Sequence, residues 1–202
     1  MFDPLHNTIQ GVMQSTWPML FISVVIMVSL RVTYLIKNKE PFVFYKELLM
    51  LFFMVYILCL FQVVTFQDVS SFTHNNFIPF REITRYSIGS RLFFKNVFGN
   101  ILLFVPFGLL ISIYLKPKNM GIPFALTFLS SLAIEFTQML IGRSFDVDDI
   151  LLNCIGGIIG YFIYKVLDKI GNLVPNVLRS KWFLNILTVL LLIGLVVYLF
   201  LI

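Results

Sequence analysis

Long apolar runs separated by short polar connections dominate this chain. A helix that crosses a bilayer needs roughly 20 mostly apolar residues, and six runs meet this requirement. They are residues 17–36, 46–66, 96–115, 122–141, 150–167 and 182–202. The pattern therefore predicts an all-α fold, a polytopic integral membrane helix bundle with about six transmembrane helices.

The composition also indicates a membrane protein. Of the 202 residues, 59% are hydrophobic and 12% are charged, whereas soluble domains are about half apolar and a quarter charged. A soluble globular domain is therefore excluded. The net charge of +5 comes from basic residues that lie mostly between apolar runs, so membrane orientation explains it and nucleic-acid binding is disfavoured. Cys59 and Cys154 lie within apolar runs and are expected to be small buried side chains rather than disulfide or zinc ligands.

The distribution of Lys and Arg between the runs predicts the orientation. One side of the membrane collects Lys37, Lys39, Lys46, Lys116, Lys118, Lys165, Lys169, Arg179 and Lys181. The other side collects Arg81, Arg85, Arg91, Lys95 and Arg143. Because basic connections favour the cytoplasm, we expect both termini, the segment 67–95 and the turn 142–149 to face outward. Arg31, near the inner end of the first helix, is expected to extend toward the interface.

Two spans contain residues that affect helix geometry. Pro106 lacks a backbone donor in the middle of the third span, which predicts a kink or a break. Gly156 and Gly160 lie four residues apart in the fifth span, a spacing that allows close approach of helices. The first apolar run lacks a small-residue cleavage site and is expected to be a retained helix. Since no connection is long or polar enough to divide the chain, we expect residues 1–202 to form one membrane domain.

Polar residues recur at helical spacing in the third, fourth and fifth spans, so that each of these helices has one polar face. These polar stripes are Asn96 and Asn100; Ser131, Glu135 and Gln138; and Asp149, Asn153, Gly156 and Gly160. Glu135 lies about six residues, or roughly 9 Å, below the outer end of its helix, and the other two stripes lie at a similar depth. The turn between the fourth and fifth spans adds Arg143, Asp146, Asp148 and Asp149 above them. The sequence therefore predicts one outward-facing polar pocket.

Structural roles are alternatives for most of these residues. The asparagines are equally suited to hydrogen bonds between helices, and Asp149 to the N-cap or first turn of its helix. Arg143 and Asp146 are suited to an ion pair that fixes the turn. Glu135 is different, because a carboxyl group inside an apolar helix usually marks a functional site. Its expected partner is Arg143 or an arginine of the segment 81–95.

The outer segment before the third span is aromatic and basic. Residues 72–81 are rich in aromatic and polar side chains, and Arg81, Arg85, Arg91 and Lys95 follow. Such a stretch suits contact with lipid phosphate or pyrophosphate, but it also suits a simple interfacial anchor. His74 by itself is a weak candidate for a ligand or base.

Four blocks of sequence resemble the VanZ-like family in order and spacing. They are Asn-Phe-Ile-Pro-Phe at 76–80, Asn-Ile-Leu-Leu-Phe-Val-Pro-Phe-Gly at 100–108, Glu-Phe-Thr-Gln at 135–138, and Arg-Ser-Phe-Asp-Val-Asp-Asp at 143–149 followed by Asn-Cys-Ile-Gly-Gly at 153–157. The resemblance covers about residues 70–165, with two helices before this core and one after it. It implies a multi-pass protein of the bacterial plasma membrane with an extracytoplasmic functional face. It also implies a link to resistance against teicoplanin, a lipid-tailed glycopeptide, but no mechanism.

The favoured hypothesis is a pocket that binds or modifies a membrane lipid, a lipid-linked cell-wall precursor or the lipoglycopeptide itself. The predicted binding residues are Asn76, Arg81, Arg85, Asn96, Asn100, Glu135, Gln138, Arg143, Asp146, Asp149 and Asn153. An alternative is a hydrolase or transferase that acts on a lipid headgroup, with Mg²⁺ or Mn²⁺ held by Glu135, Asp146 and Asp149, which are also the catalytic candidates. A lipid transporter or flippase is a third alternative, although the chain shows no repeat of the kind that transporters have.

Overall fold

The computed structural model describes residues 3–65, 75–87, 89–173 and 175–201, and this part of the chain is almost entirely helical. The helices are α1 (Asp3–Asn38), α2 (Phe44–Thr65), α3 (Arg81–Arg85), α4 (Arg91–Phe93), α5 (Gly99–Leu115), α6 (Gly121–Leu140), α7 (Val147–Leu173) and α8 (Lys181–Leu201). A π-helical turn, Phe94–Phe98, joins α4 to α5. The predicted all-α fold is confirmed. His74, at the start of the aromatic outer segment, lies outside the described residues.

Five helical stretches of the described chain are long and apolar enough to cross a membrane. They are Trp17–Asn38, Phe44–Gln62, Arg91–Leu115, Gly121–Leu140 and Val147–Leu173, and they confirm the first five predicted spans. In α8 the apolar stretch described is Lys181–Gly194, which is shorter than a span. The sixth span and the outward orientation of both termini therefore stay predictions.

The residues group into two compact units. The first contains Met1–Tyr56 and Asp168–Ile202, and the second contains Ile57–Leu167. The prediction of a single membrane domain stays a prediction.

The first unit contains an ion pair between two apolar helices. Arg31 of α1 donates from Nε to one carboxylate oxygen of Glu47 in α2 at 2.7 Å and from Nη2 to the other at 3.0 Å. The planar guanidinium matches a carboxylate in this two-bond geometry. The guanidinium of Arg31 is thus paired with an acid of the neighbouring helix, and its extension toward the interface stays a prediction.

Glycines allow α7 to pack directly on the backbone of α5 in the second unit. A side chain at Gly156 would collide with the carbonyl of Ile101, and one at Gly160 with the carbonyl of Val105. On the opposite helix, Gly108 is equally close to the backbone of α7. The close approach predicted from glycine spacing is therefore confirmed, and it fixes the positions of both helices beneath the polar residues.

The helix α5 runs unbroken through Pro106, so the break that we considered there is wrong, and the alternative of a kink stays a prediction. Proline removes one backbone hydrogen bond of the helix, and packing against neighbouring helices compensates for such a loss in many membrane helices. The irregularity lies earlier, in the π-helical turn Phe94–Phe98.

Candidate functional site

A cavity of about 580 Å³ lies in the second unit, at the end where α6 stops and α7 starts. Its walls come from α3 and the residues just after it, from the π-helical turn, from the first turns of α5, and from the α6–α7 turn with the start of α7. Its polar lining residues are Glu82, Tyr86, Lys95, Asn96, Asn100, Arg143, Ser144, Asp146, Asp148 and Asp149. Its apolar lining residues include Ile83, Val97, Leu102, Leu103 and Leu152.

A second cavity of about 50 Å³ shares part of this lining. Asn100, Leu103, Arg143 and Asp149 border both cavities. The remaining polar lining of the small cavity is Glu135, Gln138 and Asn153. A space of this size in polar surroundings suits one or a few water molecules. The site therefore consists of an outer chamber, the 580 Å³ cavity, and an inner chamber, the 50 Å³ cavity.

Hydrogen bonds join the three polar stripes that the sequence placed on separate helices. The amide of Asn100 in α5 donates to Asp149 Oδ1 in α7. The amide of Asn153 in α7 donates to Ser131 Oγ in α6 at 2.8 Å. The α6 stripe is fully buried and extends further along the helix, to Thr127. The three stripes therefore meet in one place, as their helical spacing predicted.

Glu135 is 2% exposed and holds the turn between α6 and α7. Its Oε2 accepts the backbone N–H of Asp146 at 2.8 Å, and the backbone N–H of Arg143 donates to the carbonyl of Gln138 at 2.9 Å. The guanidinium of Arg143 interacts electrostatically with the carboxylates of Glu135 and Asp149, and its role as the fixed partner of Glu135 stays a prediction. The buried acid of α6 therefore shapes the loop that forms the rim of the outer chamber.

Asp146 caps α7 and binds the outer segment at the same time. Its Oδ1 accepts the amide of Asn76 and the backbone N–H of Asp148, both at 2.9 Å. Backbone bonds from Asn76 to Phe145 and from Val147 to Asn76 complete a single β-bridge. Burial raises the pKa of the Asp146 carboxyl above its usual range. The cap that we considered for Asp149 is thus formed by Asp146, while Asp149 is an acid of the first helical turn.

Asp148, which we did not select as a site residue, is the acid that holds α3 in place. It is 1% exposed and accepts three backbone N–H groups, from Phe80 at 2.5 Å, Glu82 at 2.8 Å and Ile83 at 3.2 Å. Phe80 has a positive φ of 66°, a conformation that is unfavourable for a bulky residue. The bonds to Asp148 therefore hold a strained turn and place α3 against the outer chamber.

The basic residues of the outer segment divide into two groups. Arg81 and Arg85 are exposed and line neither chamber, and Arg85 pairs with Glu82 at 3.2 Å. Lys95, by contrast, lines the outer chamber. Next to it, the amide of Asn96 donates to the hydroxyl of Tyr86 at 2.8 Å.

The tip of the outer segment is apolar. Phe77, Ile78 and Phe80 are exposed, and the ring of Phe77 stacks on that of Phe145 at 5.3 Å. Exposed aromatic and aliphatic residues next to arginines are typical of an interfacial anchor. The tip thus supports the anchor alternative for this segment, and Lys95 supports contact with a ligand.

The described residues contain no group of three or more His, Cys, Asp or Glu side chains arranged to hold a metal ion. Glu135, Asp146 and Asp149 each accept a hydrogen bond from the protein itself. The Mg²⁺ or Mn²⁺ site at these three acids stays a prediction.

Comparison with known proteins identifies the family. A family model described as VanZ/LLP1 matches residues 44–168. The chain belongs to the VanZ/LLP1 family. The match includes α2, so the family region begins earlier than the core of about 70–165 that the sequence blocks suggested.

Protein VanZ of Enterococcus faecium is 32% identical to this VanZ/LLP1 chain over 78 residues, which cover 38% of this chain and 48% of that protein. The chain thus spans about half the length of this relative. No solved structure matches.

Proposed function

We propose that this VanZ/LLP1 protein binds the polar head of an amphiphile of the cell envelope in the outer chamber, and that it is thereby linked to glycopeptide resistance. The candidates are a phospholipid, a lipid-linked cell-wall precursor and a lipid-tailed glycopeptide such as teicoplanin. The observation that carries this proposal is a cavity of about 580 Å³ that lies at one end of membrane-spanning helices and is lined by side chains of both charges.

The chemistry of the lining suits a charged head that also forms hydrogen bonds. Lys95 and Arg143 offer positive charge to a phosphate or carboxylate. Asn96, Asn100 and Ser144 offer amide and hydroxyl groups. The volume lies within the usual range of small-molecule sites, about 300–1,000 Å³.

Two of the acids that line the outer chamber, Asp146 and Asp148, hold the protein's own backbone in place. All three bonds to Asp148 come from backbone N–H groups of the outer segment, and Asp146 accepts bonds from Asn76 and from the start of α7. We therefore assign a structural role to Asp146 and Asp148. We assign contact with the ligand to Lys95, Arg143 and the amides of Asn96 and Asn100.

The basic connections support an outward position for the chamber, because five Lys and Arg residues lie on its side of the predicted topology and nine on the other. The extracytoplasmic face of the plasma membrane is where a cell-wall precursor or a glycopeptide is accessible. A helix broken at Pro106 would have favoured the transporter alternative, because transporters use broken helices at their sites, but α5 is continuous there.

The test is glycopeptide susceptibility in a deletion strain complemented with the wild type or with Arg143→Gln. Arg179→Gln is the matched control, because Arg179 is exposed and lines neither chamber. At equal membrane levels, we expect the wild type and Arg179→Gln to restore resistance to teicoplanin, and Arg143→Gln to fail. Untailed vancomycin is tested in parallel. Full restoration by both Arg143→Gln and Lys95→Gln would refute the proposal.

A further inference from the structure

The wall that α5 and its π-helical turn give to the outer chamber changes from polar to apolar along the helix. Lys95 and Asn96 lie in the π-helical turn beside the buried Val97, Asn100 follows one turn later, and Leu102 and Leu103 come next. From Lys95 to Leu102 the helix advances roughly 10 Å at about 1.5 Å per residue. A ligand that lies along this wall meets a positive charge at one end and aliphatic side chains at the other.

Leu102 belongs both to the chamber and to the outer surface of the protein. It lines the cavity, and yet 57% of it is exposed. It lies in the middle of the spanning stretch Arg91–Leu115, where the exposed surface of a helix contacts lipid chains. The chamber therefore reaches the lipid-facing surface of α5 at this residue. Phe98, one turn earlier, is also exposed and extends the apolar surface beside the opening.

We propose that the outer chamber opens sideways to the bilayer at Leu102, and that its ligand is an amphiphile whose hydrocarbon chain lies on the exposed surface formed by Leu102 of α5 and Phe98 of the π-helical turn. This inference rests on the proposed function, because the head of the same ligand occupies the polar part of the chamber. The ligand enters from the membrane, and a headgroup without a chain is a poor substitute.

The continuity of the two surfaces identifies the occupant of the apolar part. A polar head at Lys95 and Asn100 leaves its attached chain within one or two helical turns of Leu102, since these residues line one wall. The lipid-facing side of a spanning helix is already covered by hydrocarbon, so a chain placed there exposes no additional apolar surface to water.

Leu129 provides a matched control. It is 58% exposed, lies within the spanning helix α6, and does not line either chamber. Leu102 and Leu129 therefore have the same chemistry and nearly the same exposure, and they differ in whether the chamber reaches them.

The experiment places the photoreactive residue p-benzoylphenylalanine at position 102 or at position 129 of the full chain. Each variant is reconstituted in nanodiscs that contain phosphatidylglycerol, phosphatidylethanolamine and a polyprenyl phosphate in known proportions. After irradiation, mass spectrometry identifies the captured lipids. We expect one head class to be enriched about threefold or more at position 102 relative to position 129, and this enrichment to disappear in the Arg143→Gln background.

The outcomes separate this inference from the function on which it rests. One outcome is equal lipid capture at both positions together with binding of a soluble head, either glycerol phosphate or a sugar phosphate without a polyprenyl chain, to the wild type. This outcome would overturn the sideways opening but would agree with a binding site for the head. Equal capture with no binding of either soluble head would overturn both. If the substitution at position 102 prevents folding, Leu102→Gln and Leu129→Gln are compared for the lipid that copurifies with them, and identical lipid profiles would again overturn the inference.

Discussion

Replacing Asp148 with alanine should release α3 from the site while the rest of the unit stays folded. The carboxylate accepts three backbone N–H groups, from Phe80, Glu82 and Ile83, at 2.5–3.2 Å. A hydrogen bond to a charged group contributes about 1.5 kcal/mol or more, so three give roughly 4–5 kcal/mol. Because the three bonds share one carboxylate and are not fully additive, we take the net loss as about 3 kcal/mol. This loss corresponds to an approximately 100-fold larger population of the undocked segment.

Hydrogen–deuterium exchange of the purified protein measures this effect directly, because amide exchange reports local opening. We expect the peptide that covers 75–86 to exchange about 100-fold faster in Asp148→Ala than in the wild type. Asp168→Ala is the matched control, since it removes the same charge from an exposed position of the same helix. Unchanged exchange of 75–86 would refute the role that we assign to these three bonds. Faster exchange throughout α5 and α7 would show global unfolding and would refute the local character of the release.

Three further predictions concern packing, pH and the ion pair. Gly108→Ala places a methyl group against the backbone of α7 and should destabilise the protein by about 1–3 kcal/mol. In the control variant Gly171→Ala the added methyl group meets nothing within 4 Å, so its stability should not fall. Equal melting temperatures for the two variants would contradict the close packing of α5 on α7. Because burial raises the pKa of Asp146, its favourable contribution is complete below the unfolded-state pKa and is lost as the pH rises through the folded-state pKa. Thermal unfolding across this pH range should therefore show less loss of stability in Asp146→Asn than in the wild type, and parallel curves would contradict this. A double-mutant cycle of Arg31→Met and Glu47→Met should give a coupling energy of about 1–2 kcal/mol by chemical denaturation, and a value near zero would show that the pair contributes little.

The helices and the convergence of their polar faces could be predicted from the sequence. In an α-helix, residues three or four positions apart project from the same face, so sequence spacing shows which side chains share a face. Ser131, Glu135 and Gln138 follow the helical repeat, so their position on one buried face follows from the sequence. Glycine spacing likewise predicted the contact between α5 and α7. These inferences need only residues within a few turns of one another and the length of a membrane span.

The role of Asp148 could not be predicted in this way. Its partners, Phe80, Glu82 and Ile83, lie 65–68 residues earlier in the chain, and no local pattern shows that a short helix docks there. Three acids, Asp146, Asp148 and Asp149, lie where the α6–α7 turn meets α7. Their roles differ because each contacts a different segment of the chain. Asp146 binds Asn76, Asp148 binds backbone, and Asp149 binds Asn100.

Pro106, where we expected a kink or a break and where α5 continues, shows the opposite limitation. Proline is a reliable local signal for a missing donor, but neighbouring helices decide whether the helix bends or continues. The π-helical turn at 94–98 has no such signal, because its apolar and polar residues also fit an ordinary α-helix.

The π-helical turn determines which residues before α5 face the outer chamber. In an α-helix each residue turns the chain by about 100°, and a π-helical turn accommodates one extra residue within an otherwise continuous helix. Plain α-helical winding of the same residues would place Lys95 and Asn100, which are five residues apart, about 140° from each other, whereas the π-helical turn keeps them on one wall of the outer chamber. Deleting one residue between them would bring them to a spacing of four, which plain α-helical winding also places on one face. Within this family, relatives with one residue fewer at this turn should therefore keep the basic residue in the chamber, whereas a change that straightens the turn at constant length should remove it.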